Sequence, residues 1–174
     1  MSRWIALYSQ TGDELRKLQK LLNGRAPDMV LTTNPKKYVD CTRTARELHY
    51  QVEAVLLEQL RPGDIVTLHG YLFILSDKVL SIPGVKFYNG HPGLVTLYPE
   101  LKGKDPQQKI FNSFYPVVGC IIHEVTSEVD SGPILMTSQI TVDFGFYTRS
   151  FDQVINDIKY ISLGLWRVFL EGVL

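Results

Sequence analysis

The sequence of 174 residues has few cysteines, no long hydrophobic run and no excess of either charge. Its two cysteines, Cys41 and Cys120, are too few for a disulfide framework, and no Cys-x-x-Cys or clustered histidine spacing indicates a metal site. No apolar stretch reaches the roughly eighteen residues of a membrane-spanning helix, and the first residues lack the apolar segment of a signal peptide. We therefore expect a cytoplasmic protein with no membrane association and no bound metal.

The balance of charge also bears on partners. The chain has 18 basic and 18 acidic residues, so no overall positive field attracts nucleic acid, and Lys36-Lys37 is only a local pair. Apolar residues make up 45% of the chain and charged residues 21%, which is ordinary for a globular protein. Because no repeat or linker divides the chain, we predict one domain over residues 1–174.

Apolar runs of strand length alternate with segments of helical spacing, which predicts an α/β fold. The predicted strands are Trp4–Tyr8, Met29–Thr32, 65–68, 85–88, 117–125 and 134–142. The predicted helices are 11–22, 44–60, 105–112 and a closing helix that ends at about Leu170. Capping boxes mark the start of two of them: Thr11 with Glu14 in the first helix, and Ser150 with Gln153 in the last. Strand and helix alternate, as expected for a mostly parallel sheet with helices on both faces.

Two short motifs carry candidate chemistry. Asn89-Gly90-His91-Pro92-Gly93 follows the apolar run 85–88, and Asp130-Ser131-Gly132-Pro133 follows the run 117–125. Either motif alone is typical of a turn, because Asn, Asp, Gly and Pro all favour turns. If the strand ends bring them together, Asn89 and a protonated His91 can donate to a developing oxyanion while Asp130 supports the imidazolium or relays a proton. That combination is suited to acyl transfer.

These motifs, with the segment His69 to Ser76 before them and Gly119 to Leu135 around the second, resemble the folate-dependent formyltransferases. The resemblance implies a Rossmann-like fold, 10-formyltetrahydrofolate as co-substrate, and Asn89, His91 and Asp130 as catalytic residues. It also implies that the pterin is held by two backbone segments. These are Leu72, Phe73, Ile74 and Leu75 in the first, and Thr126, Ser127, Glu128, Val129 and Gly132 in the second.

The resemblance defines the acceptor less closely than it defines the folate site. The glycinamide ribonucleotide branch carries Gly-Ser-Asn at the phosphate-binding turn and a Glu in the last helix, where this sequence has Gly12-Asp13-Glu14 and Ser162. Two carboxylates at a helix N-terminus favour the helix dipole but repel phosphate, so we expect glycinamide ribonucleotide to be a poor substrate. The Gly103 to Gln107 segment is similar to sugar N-formyltransferases. We expect a small-molecule amine (an amino sugar, a nucleotide or a glycinamide ribonucleotide-like compound) and no tRNA acceptor.

Two alternatives stay open. Water in place of the amine would make the chain a 10-formyltetrahydrofolate hydrolase, and loss of the chemistry would leave a non-catalytic folate-binding module. The remaining histidines are interpreted structurally: His69 is expected to pack at a strand end, and His123 to lie on a face of the sheet within its apolar strand.

Overall fold

The computed structural model describes residues 2–34, 44–46 and 49–174; Cys41 and Lys36-Lys37 lie outside these residues. The strands are β1 (Trp4–Tyr8), β2 (Met29–Thr32), β3 (Thr44–Arg46), β4 (Ile65–Leu68), β5 (Lys86–His91), β6 (Val117–Glu124) and β7 (Ile134–Thr141). The helices are α1 (Asp13–Leu21), α2 (His49–Gln59), α3 (Asp77–Leu80), α4 (Pro106–Ser113), α5 (Phe144–Tyr147) and α6 (Phe151–Val173), with a 3₁₀ turn at Pro99–Leu101. No helix in the described residues is both long and apolar enough to cross a bilayer.

Within the described residues, seven strands form one sheet in the order β3-β2-β1-β4-β5-β6-β7. The first five strands of this order are mutually parallel, and β6 runs antiparallel to both β5 and β7. The predicted α/β class and mostly parallel sheet are therefore confirmed. The carboxyl ends of β1, β4 and β5 meet at one edge of this sheet, where ligands of parallel α/β proteins usually bind.

Two apolar clusters, one on each face of the sheet, are covered by different helices. Side chains alternate along β1, so Trp4, Ala6 and Tyr8 enter one apolar cluster while Ile5 and Leu7 enter the other. The first cluster contains buried residues of α1, α4 and α6, and the second contains those of α2 and α3. Every residue of β1, β2 and β4 is buried, which accounts for their uninterrupted apolar sequences.

Several predicted elements are confirmed closely. The bounds of β1, β2 and β4 agree residue for residue with the sequence predictions. At the start of α6, the Ser150 hydroxyl accepts the Gln153 amide N–H, and the Gln153 side chain accepts the Ser150 N–H, as a capping box requires. Cys120 is buried as expected, and burial raises the pKa of its thiol.

Two predicted helix starts are wrong. The helix predicted over 44–60 begins only at His49, because Thr44–Arg46 pairs with β2 as strand β3. Ladder hydrogen bonds to an otherwise open strand outweigh the small helix propensity of three residues. The cap predicted at Thr11 is also wrong: α1 is preceded by Gly12 in the left-handed conformation (φ 66°), and Glu14 turns away from the cap toward other elements.

Strand β5 is longer than predicted at its carboxyl end. The sequence predicts a strand that ends at Asn89, but β5 continues to His91 because its last residues pair with β6. In this antiparallel pairing Asn89 lies opposite His123. The candidate amide and imidazole are thus placed on a strand, where the backbone fixes them more firmly than a turn would.

Candidate active site

The structure brings Asn89, His91 and Asp130, here called the trio, into direct contact. Asn89 Nδ2 donates to Asp130 Oδ1 at 3.2 Å, and His91 Nδ1 lies 3.2 Å from Asp130 Oδ2. Asn89 and His91 stand on either side of Gly90 in β5, while Asp130 comes from the loop between β6 and β7. An amide, an imidazole and a carboxylate therefore meet in one place, as the two motifs predict.

Asp130 is the centre of this arrangement. It adopts a left-handed backbone conformation (φ 48°), which Asp tolerates better than most residues, and its side chain is only 8% exposed. The backbone N–H of Gly103 donates to Oδ2 at 2.8 Å. Burial alone would raise the pKa of Asp130, but the hydrogen bond from His123, the charge of His91 and the Gly103 N–H together lower it. Asp130 is therefore held as a carboxylate.

His91 is buried, and both of its ring nitrogens face protein groups. Nε2 donates to the carbonyl oxygen of Leu101 at 2.7 Å, while Nδ1 faces Asp130. Burial, with the charges of His123 and Lys109, lowers the pKa of His91 more than Asp130 and the Leu101 carbonyl raise it, which opposes the protonated form that the sequence analysis expects. The side-chain donors of Asn89 and His91 are thus directed at acceptors within the protein, namely Asp130 and the Leu101 carbonyl oxygen.

His123 belongs to the same site, which the sequence interpretation misses. Its Nδ1 donates to the Glu124 carbonyl at 2.8 Å, and its Nε2 lies 3.2 Å from Asn89 Nδ2 and 3.4 Å from Asp130 Oδ1. The expectation that it lies on a sheet face is met, but that face is the one on which Asn89 stands. The sequence gives no signal for this contact, because it forms only when the loop carrying Asp130 folds back over the strand that carries His123.

The first proposed pterin segment combines exposed and anchored residues. Leu72, Phe73 and Ile74 are 63%, 45% and 59% exposed, which is unusual for three consecutive large apolar side chains. Leu75 is buried in the cluster beneath them, and the Leu72 N–H donates to the Ser9 hydroxyl oxygen at 3.2 Å. The segment is held at both ends while its apolar side chains face outward.

The second segment has the same character. Val129 is another exposed apolar residue, and the loop is braced by the Thr126 hydroxyl donating to the Glu128 carbonyl at 3.0 Å. Val125, just before the loop, packs on the same apolar cluster as Leu75. The end of the first segment and the start of the second are therefore anchored on the same side of the sheet. Among the described residues, no group of His, Cys, Asp and Glu side chains is arranged to hold a metal ion.

A second polar group, the Glu14 cluster (Glu14, His69 and Ser162), joins three elements at the same sheet edge. His69 Nδ1 lies 2.6 Å from Glu14 Oε1, and the Ser162 hydroxyl donates to Glu14 Oε2 at 3.2 Å. His69 follows β4, Glu14 lies in the first turn of α1, and Ser162 lies on α6. The expectation that His69 packs at a strand end holds, but its partner is a carboxylate.

Known proteins share this architecture. Residues 3–160 match the family described as Formyl transferase. A methionyl-tRNA formyltransferase of Thermotoga maritima is 35% identical over 115 residues, covering 66% of this chain and 34% of that protein. Formyltetrahydrofolate deformylase 1 of Arabidopsis thaliana is 32% identical over 125 residues, covering 72% of this chain and 36% of that protein. The chain thus spans about a third of the length of these two relatives.

A solved structure extends the likeness to the whole fold. The phosphoribosylglycinamide formyltransferase of Streptococcus pneumoniae superposes with a TM-score of 0.80 at 20% identity, covering 99% of both chains. The matched range includes the trio and both proposed pterin segments. The chain belongs to the formyl transferase family.

Proposed function

We propose that this chain transfers the formyl group of 10-formyltetrahydrofolate to the amine of a small-molecule acceptor, with Asn89, His91 and Asp130 as catalytic residues. The observation that carries the proposal is the contact of an amide and an imidazole with one buried carboxylate at the sheet edge. Such a group supplies hydrogen-bond donors to an oxygen that gains charge and a carboxylate to manage protons.

In the reaction, the uncharged acceptor amine attacks the formyl carbon. The new carbon–nitrogen bond forms at the acceptor, the bond to the folate nitrogen breaks, and the proton lost by the amine goes to that nitrogen. Asn89 and His91 donate to the formyl oxygen as its negative charge grows. Asp130 orients His91 and accepts and returns the amine proton, which its low pKa allows only transiently.

This mechanism requires a local rearrangement. The His91 Nε2–H must leave the Leu101 carbonyl to reach the formyl oxygen. The segment from Leu101 to Gly103 contacts two of the trio residues: the Leu101 carbonyl accepts from His91, and the Gly103 N–H donates to Asp130. Binding of the formyl group therefore replaces a carbonyl oxygen of the protein with a substrate oxygen, and the number of hydrogen bonds to His91 is preserved.

The exposed apolar residues support a pterin site beside the trio. Leu72, Phe73 and Ile74 of the first segment and Val129 of the second expose apolar surface that a planar ring system would cover. Backbone groups of 72–75 and 126–132 are proposed to contact the polar edge of the pterin. A structure of the complex with a non-transferring folate analogue tests this assignment, and a pterin lodged away from both segments would contradict it.

The acceptor is proposed to be a small molecule and not tRNA, since the chain has no net positive charge. The test is a screen of amino sugars, nucleotide-linked amino sugars, glycinamide ribonucleotide and aminoacylated initiator tRNA with 10-formyltetrahydrofolate. Formation of tetrahydrofolate that depends on a small amine supports the proposal. Turnover with the tRNA alone would contradict it.

A second candidate is hydrolysis of 10-formyltetrahydrofolate, favoured by the likeness to the Arabidopsis deformylase. The same trio would then activate water in place of an amine. The two functions differ in one measurement: formate release without any added amine supports the hydrolase, whereas formate release that remains at background, with transfer of the formyl group once an amine is added, supports the transferase.

A further inference from the structure

The Glu14 cluster lies next to the trio, at the same edge of the sheet. Leu68, which precedes His69, pairs in register with Asn89. The indole of Trp166 packs on the His69 ring with centroids 4.6 Å apart, and its Nε1 lies so close to Gly90 that a Cβ there would approach it to 2.4 Å. A single side chain thus spans from the Glu14 cluster to the strand that carries Asn89 and His91.

The Glu14 carboxylate is held by a buried network. The His69 side chain has no exposed surface, and its Nε2 lies 2.8 Å from the Thr67 hydroxyl oxygen, which also accepts the Trp4 indole N–H at 2.8 Å. This chain of contacts fixes the imidazole, and the imidazole fixes Glu14. A carboxylate that served only the helix dipole would not need such a network.

Asp13 provides the comparison within the same helix turn. Its side chain is exposed and pairs with Arg16 one turn later, at 2.9 Å, as a surface carboxylate commonly does. Glu14 instead turns inward, yet its side chain stays 29% exposed. A carboxylate has about four lone-pair positions, and each Glu14 oxygen has one described partner, so Glu14 retains acceptor capacity on its open side.

One buried donor at the cluster also lacks a partner. Among the described side chains, Trp166 Nε1 is the buried polar atom without a hydrogen bond, and Trp166 is 1% exposed. Buried donors are normally satisfied, and exceptions often mark places where a ligand or water completes the structure. The unsatisfied donor lies at Gly90, between the Glu14 cluster and the trio.

We infer that the Glu14 cluster determines acceptor specificity, selecting amines that carry hydroxyl groups close to the amine over amines that carry a phosphate monoester there. This inference rests on the proposed function. A fixed carboxylate accepts hydrogen bonds from hydroxyl groups and repels phosphate. It contacts a neighbouring hydroxyl and not the attacking amine, whose proton the proposed mechanism passes to Asp130.

The test compares Glu14→Gln with Asp13→Asn, which removes one negative charge from the same helix turn without touching the cluster. The probes are 2-amino-2-deoxyglucose and its 1-phosphate, in which a phosphate monoester replaces the hydroxyl next to the amine. Binding is measured by ligand-observed NMR without formyl donor, and kcat/KM with 10-formyltetrahydrofolate. Glu14→Gln should weaken binding of the free sugar about tenfold and improve binding of the phosphate, as expected for loss of a charged hydrogen-bond acceptor. Asp13→Asn should change both by less than about twofold.

Equal effects of the two variants, or tighter binding of the phosphate than of the free sugar by the unaltered protein, would overturn the inference. So would failure of both probes to bind. Ser162→Ala provides a second route if Glu14→Gln does not fold, and should raise KM for the sugar a few fold with a smaller change in kcat. Binding that follows these expectations without any formyl transfer would count against the proposed function alone, whereas transfer that is insensitive to Glu14 would count against this inference alone.

Discussion

The trio and the Glu14 cluster are built from similar groups but differ in openness. Each places a buried histidine against a carboxylate, His91 with Asp130 and His69 with Glu14. The Asp130 side chain is 8% exposed and is surrounded by donors, whereas the Glu14 side chain is 29% exposed and has one open side. The enclosed pair is suited to holding charge during a reaction, and the open pair to contacting a ligand.

The largest effect should come from breaking the enclosed pair. His91→Ala and Asp130→Asn should each lower kcat by at least ~10²-fold, because each removes a group positioned for proton transfer or its orientation. Steady-state kinetics with 10-formyltetrahydrofolate measures this, with circular dichroism to confirm folding. Asp105→Asn, an exposed carboxylate in a left-handed position that Asn also tolerates, is the matched control and should retain full activity. Retention of activity within a few fold by either folded trio variant would remove that residue from the chemistry.

Removing the amide should have an effect of the same order or somewhat smaller. Asn89→Ala should lower kcat on the order of 10²-fold, as expected for loss of one donor to a developing oxyanion. KM for the acceptor should change little, because the interaction forms mainly in the transition state. Asn112→Ala on α4 serves as the control. An unchanged rate for Asn89→Ala would leave His91 as the polarising group.

The two carboxylates also differ in their histidine partners. Asp130 contacts two histidines, His91 and His123, whereas one histidine, His69, is described beside Glu14. The hydrogen bond from His123 lowers the pKa of Asp130, so His123→Ala should raise that pKa. Ionised Asp130 would then be present only at higher pH. The acidic limb of the kcat/KM profile should therefore move to higher pH, and a rise of one in the pKa of Asp130 should lower the rate on that limb about tenfold.

His123→Asn, which keeps a side-chain donor, is the matched variant and should recover part of the lost activity. A uniform loss across pH in His123→Ala, with no movement of the acidic limb, would assign His123 to packing alone.

The smallest expected effect is on the stability of the fold, with no change in activity. Ser150→Ala removes the cap of α6, the helix that carries Ser162 and Trp166, and should lower the free energy of unfolding by about 1 kcal/mol. Activity should stay unchanged, because the cap lies about three turns from Ser162. Urea unfolding and kinetics together check this. A large loss of activity would mean that the Glu14 cluster depends on how α6 begins.

The two regions also differ in how far the sequence predicts them. The trio can be predicted because Asn89 and His91 share a short motif and Asp130 follows a recognisable strand. The Glu14 cluster cannot, because its members are far apart in sequence and Glu14 also fits a capping box that the structure does not form. His123 escapes prediction for a similar reason, since its role depends on a loop that folds back over its strand. Parallel strands are predicted well because burial on both faces gives them uninterrupted apolar sequences, as in β1, β2 and β4.

The most direct measurement is the fate of a ¹³C-labelled formyl group in a single turnover, followed by NMR with and without an amino sugar. We predict that the label moves from the folate to an amide of the amino sugar, that it stays on the folate when the amine is absent, and that Asp130→Asn slows the transfer at least ~10²-fold. Release of the label as formate at the same rate with and without the amine would contradict formyl transfer as the function of this chain.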